Sequence, residues 1–155
     1  MIRLAKEADL PHIFPLRDQV HALHVNGRPD TFKMPEDPSE FYQQLAECLP
    51  KENFLLFVLE EKDTIIGYAL VQIGHPKNII ATERIFYYIE EFAIDSAYRR
   101  QGFGKQLMDN IIYYANDHHA DSVELEVWDF NRDAIAFYES LGATTKRTRL
   151  EIKLS

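Results

Sequence analysis

The chain has one cysteine, Cys48, so no internal disulfide can form, and a reducing compartment such as the cytoplasm is expected. Cys48 falls on the apolar stripe of a helix, where a thiol is expected to pack rather than react. No apolar run reaches the ~20 residues that span a bilayer, and the N-terminus lacks a secretion-signal core. No membrane partner is therefore expected. Basic residues are outnumbered 17 to 25 by acidic ones, leaving a net charge of −8. That balance argues against nonspecific nucleic-acid binding and favours a cationic partner. Repeats, low-complexity tracts and linkers are also missing, so residues 1–155 read as one domain. Glycine is scarce at 6 residues, yet two of them, Gly102 and Gly104, stand almost side by side.

What is present suffices for a core. With 46% apolar and 27% charged residues, a chain of this length buries about two-thirds of its surface without metal or disulfide help. Ile2 and Leu4 alternate as a short strand. Asp9 is positioned to cap a helix with Pro11 in its first turn and Ile13, Leu16, Val20 and Leu23 on its apolar face; Pro15 should kink it. Asn26 to Pro35 reads as a loop. Asp37-Pro38-Ser39-Glu40 resembles a capping box before a helix with Phe41, Leu45, Cys48 and Leu49 on one side. Phe54 to Glu60 and Thr64 to Ile73 form a hairpin about Glu61-Lys62-Asp63, and after a turn at His75 to Asn78 a third strand runs from Ile85 to Asp95. Gly104, Leu107, Met108, Ile111, Ile112 and Ala115 recur at the spacing of a helix lying on a sheet. Val123 to Val127 reads as a strand, and Asn131 to Gly142 as a capped and terminated helix. Leu150, Ile152 and Leu154 alternate as a closing strand. The expected class is α/β (α+β): a mixed, mostly antiparallel sheet with helices on both faces.

The most informative segment is Asp95-Ser-Ala-Tyr-Arg-Arg-Gln-Gly-Phe-Gly-Lys105, between a strand and a helix. A glycine-rich turn there leaves N–H groups unpaired, and the helix dipole adds roughly half a positive charge. Gly102 and Gly104 permit close backbone approach. Arg99, Arg100 and Lys105 add positive charge to an acidic protein. Together these make a phosphate seat.

These residues resemble the GNAT superfamily of acyl-CoA-dependent N-acyltransferases, from Ile2 to Leu154. Arg99, Gly102 and Gly104 match its Arg/Gln-x-x-Gly-x-Gly/Ala signature. Ile89 to Asp95 looks like its fourth strand. Asn131-x-x-Ala134-x-x-Phe137-Tyr138-Glu139-x-x-Gly142 is similar to its second cofactor motif. The resemblance implies acetyl transfer from acetyl-CoA, a co-substrate, to an amine. Its pyrophosphate would sit on Arg99, Arg100, Gln101, Gly102, Phe103, Gly104 and Lys105, and its pantetheine arm along Phe92, Ala93 and Ile94. The arm would enter where the fourth and fifth strands splay. Asn131 would cap its helix and touch the cofactor.

Attack by an amine with a pKa near 10.4 costs about 4–5 kcal/mol of deprotonation at pH 7, and the departing thiolate benefits from a proton. Tyr138, by spacing alone a core aromatic, matches the family's acid. Glu90 and Glu91 interrupt an apolar strand, and such charges need partners or water. Strict alternation points them to opposite faces. Glu90, in parity with Phe92, is the candidate base and Glu91 a substrate contact, unless either pairs with an arginine or only orients water. Arg28, Asp30 and Phe32 lie in the loop expected to cover the acceptor, with Asp30 placed to attract a cation. His21 and His24 stand at a chelating spacing, but no third ligand accompanies them, so no metal is expected. Trp128 reads as core. Small amines and protein amino groups both remain open as acceptors, and a homodimer is compatible with the sequence. A different class also stays open: a catalytically silent relative that binds acyl-CoA as a sensor or interaction module.

Overall fold

A computed structural model describes residues 1–155. Five strands form one sheet in the order β1-β2-β3-β4-β5: Ile2–Leu4, Phe54–Glu61, Thr64–Gly74, Phe86–Ile94 and Ser122–Leu125. The first four pair antiparallel, and β5 joins β4 in parallel. The β2–β3 turn is a two-residue connection in which Lys62 and Asp63 both take positive φ (48° and 62°), so its twist matches that of the strands. The helices are α1 (Leu10–Gly27), α2 (Ser39–Cys48), α3 (Phe103–Asp117) and α4 (Arg132–Ser140). No helix is long and apolar enough to cross a membrane.

The sheet separates two cores. On one face Leu10, Ile13 and Leu16 of α1 and Leu45 of α2 meet Leu56, Val58, Tyr68, Leu70 and Ala93. On the other, Leu107, Met108, Ile111 and Ala115 of α3 meet Phe57, Ala69, Val71, Tyr87, Ile89 and Ile94. Burying such a side chain contributes about 1.5–3 kcal/mol. The four α3 residues are among the six that its periodicity assigns to the sheet, and Ile112 packs against the same core half-buried.

The departures are local. Asp9 does not cap α1; its carboxylate accepts from the Lys6 amide (2.7 Å) and from Arg3 (2.7 and 3.0 Å), tying β1 to the turn before the helix. The α1 helix runs unbroken past Pro15 and on to Gly27, so the loop begins at Arg28. At α2 there is no reciprocal box: Asp37 accepts from the Ser39 amide (2.9 Å) and hydroxyl (2.6 Å).

Two departures matter for function. In β4, Leu70 pairs with Glu91 and Val71 with Ile89, so Glu90 is the extra residue of a β-bulge. Before it, odd residues (Tyr87, Ile89) face the α3 core; after it, Ile94 faces that core and Ala93 the α1 core. The alternation expected from the sequence therefore changes phase at Glu90. Secondly, the closing strand is absent. Residues 144–155 make no main-chain hydrogen bond, and Leu150, Ile152 and Leu154 are 86–88% exposed. Alternation marks which faces a strand would present but not which neighbour it finds, and the outer edge of β5 carries no partner strand.

Candidate active site

The ladder between β4 and β5 ends at Ile89–Leu125, although β4 continues to Ile94. The chain after Leu125 turns toward α4, so Glu126 and Val127, expected in the strand, lie beyond the pairing. A cavity of about 240 Å³ opens at this divergence. Its walls include Glu90, Glu91 and Phe92 from β4, Glu126 beyond β5, and Asn131 and Tyr138 at α4. Arg17, His21 and His24 of α1 close the far side with Tyr68.

Glu91 faces α1 because of the bulge. Its carboxylate takes Arg17 Nε at 3.0 and 3.1 Å, Arg17 Nη2 at 2.7 Å and the Tyr68 hydroxyl at 2.7 Å. Arg17 also donates to the Phe41 carbonyl and lies over the Phe41 ring at 3.8 Å. Burial, then the Glu91 charge, pushes the Tyr68 phenol well above its ordinary range. Glu91 therefore lines the cavity with both oxygens engaged, and its role there is to anchor the wall. The arginine pairing left open for these glutamates is Arg17 with Glu91.

Glu90 makes no hydrogen bond within the protein and is exposed toward the cavity. Burial first, then Glu91 and Glu126, raise its carboxyl pKa. Glu126 thus belongs to the site electrostatically, a residue that alternation alone presents as a solvent-facing strand position. Tyr138 packs against Phe92 (6.3 Å between rings, edge-on), and burial pushes its phenol up to about 12. The phenol stays neutral at pH 7 and makes no hydrogen bond to the protein. Asn131 accepts from the Ala134 amide at 3.3 Å, capping α4 at the cavity edge. His24 is held between Phe32 and Phe130; burial, then His21, lowers its pKa, and Glu91 opposes this.

At the other end of the opening, the Asp95 side chain accepts from Ala97 N (3.0 Å) and Arg99 Nε returns to the Ile94 carbonyl (3.0 Å), folding the turn. No amide from Arg99 to Lys105 donates to another protein group; the first helical bond of α3 is from Gln106 to Gly102. Arg100 and Gly102 take positive φ (58° and 87°), which brings the turn onto the helix start. A Cβ on Gly102 would meet nothing within 4 Å, so the space over the turn is open. This run of free N–H groups at a helix N-terminus, with Arg100 and Lys105 beside it, suits a phosphate-bearing ligand. Gly104 has a second duty: its Cβ position lies 3.3 Å from Phe137, so its smallness lets α3 approach α4.

The expected acceptor loop does not line the cavity. Arg28 and Asp30 pair with each other (2.8 Å at both contacts), and Arg28 lies over Trp128 at 5.2 Å. Asp30, with its pKa held down to about 2 chiefly by Arg28, is already neutralised and attracts no further cation. Phe32 packs on Trp128 and His24. The cavity contacts on this side come instead from α1, where the sequence shows only an amphipathic pattern.

The Acetyltransferase (GNAT) family model matches residues 18–143, and the chain belongs to that family. Among solved structures, a tetramutant of the BH1408 protein of Bacillus halodurans superposes with a TM-score of 0.93 at 30% identity, covering 99% of each chain. Human N-alpha-acetyltransferase 30 is 42% identical over 101 residues, which is 65% of this chain and 26% of that protein. The ribosomal protein bS18-alanine N-acetyltransferase of Escherichia coli is 32% identical over 99 residues, 62% of this chain and 61% of that one. The chain thus spans from about a quarter to three-fifths of the length of these two relatives.

Replacing Arg17 by Met leaves Glu91 and Tyr68 without their cation at the cavity wall. Breaking such a pair should cost about 2–4 kcal/mol, measured by denaturant unfolding at pH 7. Adding Glu91→Leu should recover most of that loss; a double variant no more stable than the single one would show that the cluster is not what α1 depends on.

Proposed function

We propose that the chain is an acetyl-CoA-dependent N-acetyltransferase, residues 1–155 forming one GNAT-type domain. The observation that carries this reading is the divergence of β4 and β5, which leaves the β4 edge unpaired from the cavity holding Glu90 and Tyr138 along to Ile94, just before the turn with the free amides of Arg99–Lys105. The amides and Lys105 would hold the pyrophosphate. The edge of β4 from Phe92 through Ala93 to Ile94, without a ladder partner on the β5 side, would bind the pantetheine amides. Bound acetyl-CoA supplies the thioester carbon that an amine attacks. Within the protein, the absence of any strand across the opening and of any Cβ over Gly102 fits that co-substrate.

In the reaction the C–N bond forms, the C–S bond breaks and two protons move. Glu90 takes a proton from the ammonium, directly or through one water; its raised pKa makes it a stronger base than an ordinary carboxylate. Tyr138 faces the departing sulfur. A phenol at about 12 is a weak acid beside a thiol near 8.5, so complete transfer to the sulfur is uphill by roughly 5 kcal/mol. Tyr138 therefore acts as a hydrogen-bond donor that steadies the developing negative charge, solvent completing the protonation. Asn131 holds the start of α4, and so Tyr138, at the cavity.

For the acceptor we infer a cationic primary amine. Glu90 faces the cavity unpaired, whereas Glu91 is balanced by Arg17 and Glu126 by Arg147. The names of the protein-acetylating relatives favour a protein α-amino group over a small amine. The single thiol, half-buried and made less acidic by burial, accords with a cytoplasmic location.

The deciding experiment measures coenzyme A release against peptides with free N-termini and a panel of small amines. Tight acetyl-CoA binding without turnover on any acceptor would leave a sensor instead of an enzyme. Gly102→Ala should weaken coenzyme A binding about ten-fold or more in calorimetry, the loss of roughly one charge-assisted hydrogen bond, in a protein that still melts cooperatively. Tyr138→Phe should lower kcat about 10²-fold with coenzyme A affinity nearly unchanged. Because the Glu90 pKa is raised, its base form is lost at a higher pH than for an ordinary glutamate. The acid limb of kcat/KM should lie above pH 4.5 accordingly, and Glu90→Gln should flatten that limb while lowering the rate; an unchanged profile would remove Glu90 from the proton path.

A further inference from the structure

The two histidines that stand one turn apart on α1 find no metal-binding company, yet both line the cavity, on the side far from Glu90. Their states differ. His21 Nε2 meets the Lys33 carbonyl at 2.7 Å; a carbonyl only accepts, so that nitrogen carries the proton and is committed. His24 makes no hydrogen bond within the protein. Phe32 and Phe130 hold its ring at centroid distances of 5.3 and 6.3 Å, and since no buried side-chain nitrogen lacks a partner, its own nitrogens are open to solvent. A fixed imidazole with a free acceptor nitrogen on a reaction cavity is suited to proton transfer.

Which proton it moves follows from the chemistry, on the reading of the chain as an acetyltransferase. A primary ammonium has three hydrogens on nitrogen, and the amide product keeps one. The first proton must leave before attack, to free the lone pair. The second leaves after the C–N bond has formed, when the nitrogen of the tetrahedral intermediate is positively charged. Glu90, protonated by the first transfer, cannot accept the second until it has exchanged with water. The other titratable groups of the wall are engaged. Arg17 is a cation bound to Glu91, which also takes the Tyr68 hydroxyl. Glu126 is held by Arg147 at 2.7 Å, and Tyr138 is a neutral phenol. Beside the ring, Arg28 pairs with Asp30 and Asp129 with Arg132, so neither flanking segment brings an unbalanced charge. One free base is left.

We propose that His24 is a second catalytic base, taking the proton that the acceptor nitrogen loses after attack, while Glu90 takes the one lost before it. Glu90 starts ionised and His24 neutral. Glu90 accepts the first proton; the nitrogen lone pair then forms the C–N bond and the carbonyl π pair moves to oxygen. His24 accepts the second proton, the oxygen pair re-forms C=O, and the C–S pair leaves on sulfur. The total charge is zero before and after: ammonium and carboxylate become imidazolium and thiolate. Solvent then protonates the sulfur and takes up the protons from Glu90 and His24. The surroundings of the ring suit this. Burial, then His21, lowers the His24 pKa from its ordinary 6.5 against the opposing charge of Glu91, so the imidazole is a neutral acceptor at pH 7.

The acid side of the pH profile separates this role from packing. The Glu90 pKa is raised from 4.5 and that of His24 lowered from 6.5, so the two approach each other. Both groups must be deprotonated, and log kcat/KM should therefore fall with a slope near two. With n-butylamine and a free-N-terminal peptide as acceptors, His24→Gln should reduce that slope to one and lower kcat about 10²-fold, coenzyme A affinity and cooperative melting being kept. In His24→Ala, which also removes the ring's contacts, added imidazole should restore turnover in step with its neutral form. Apart from turnover, the His24 ring signals of isotope-labelled protein, assigned by their loss in His24→Gln, should move when amine joins the coenzyme A complex. Those of His118 on α3 should not. A wild type that turns over no amine overturns the acetyltransferase reading and this role with it. Wild-type turnover whose rate and slope survive in His24→Gln overturns this role alone. A lowered rate with an unchanged slope and no rescue by imidazole does so equally, because His24 would then only pack.

Discussion

The bidentate contact between Arg17 and Glu91 is the constraint around which the α1 side of the cavity is arranged. It ties α1 to the centre of β4, and Tyr68 of β3 completes it from beneath. A guanidinium and a carboxylate withdrawn this far from water stabilise a fold only when their hydrogen bonds are satisfied, and here the Phe41 carbonyl and the Tyr68 hydroxyl supply the remainder. The result is a cavity wall that presents little net charge. The unpaired acidity of the cleft is left to Glu90, whereas Glu126, beyond β5, is held by Arg147.

The opposite half works by leaving groups unsatisfied. Backbone amides are normally paired in folded proteins, and a continuous run of free ones at Arg99–Lys105 is tolerable because it faces solvent at a helix start. The turn is stiff despite that openness. The Asp95 cap, the Arg99 contact to Ile94 and the two left-handed residues fix its path. A donor array already in place loses little freedom when an anion settles on it, which is how preorganisation aids binding.

Much of this was legible in the sequence. The period of α3, the tight hairpin turn near Lys62, the Asn131 cap and the glycine turn each follow from local chemistry, and the structure holds them all. What was not legible depends on register and on distant neighbours. Alternation places Glu90 and Glu91 on opposite faces, but no sequence signal marks the bulge that changes phase there, so Arg17 as the partner of Glu91 was invisible. The Arg28–Asp30 pair is two residues apart in the chain, yet the sequence presents them as two separate site residues, because a loop's internal pairing depends on its conformation. Leu150, Ile152 and Leu154 show the same limit: an alternating pattern in a segment that joins no sheet.

The bulge at Glu90 has a genetic corollary. It is a single extra residue that β3 leaves unpaired, between Ile89 opposite Val71 and Glu91 opposite Leu70. Loss of that one codon would join Ile89 to Glu91 and restore strict alternation, with each remaining residue of the strand still opposite its present partner, Glu91 toward α1 and Ile94 toward α3. An in-frame three-nucleotide deletion at this point should therefore spare the sheet while removing the one carboxylate that the cavity leaves unpaired. Length, at this position, serves the cavity and not the strand.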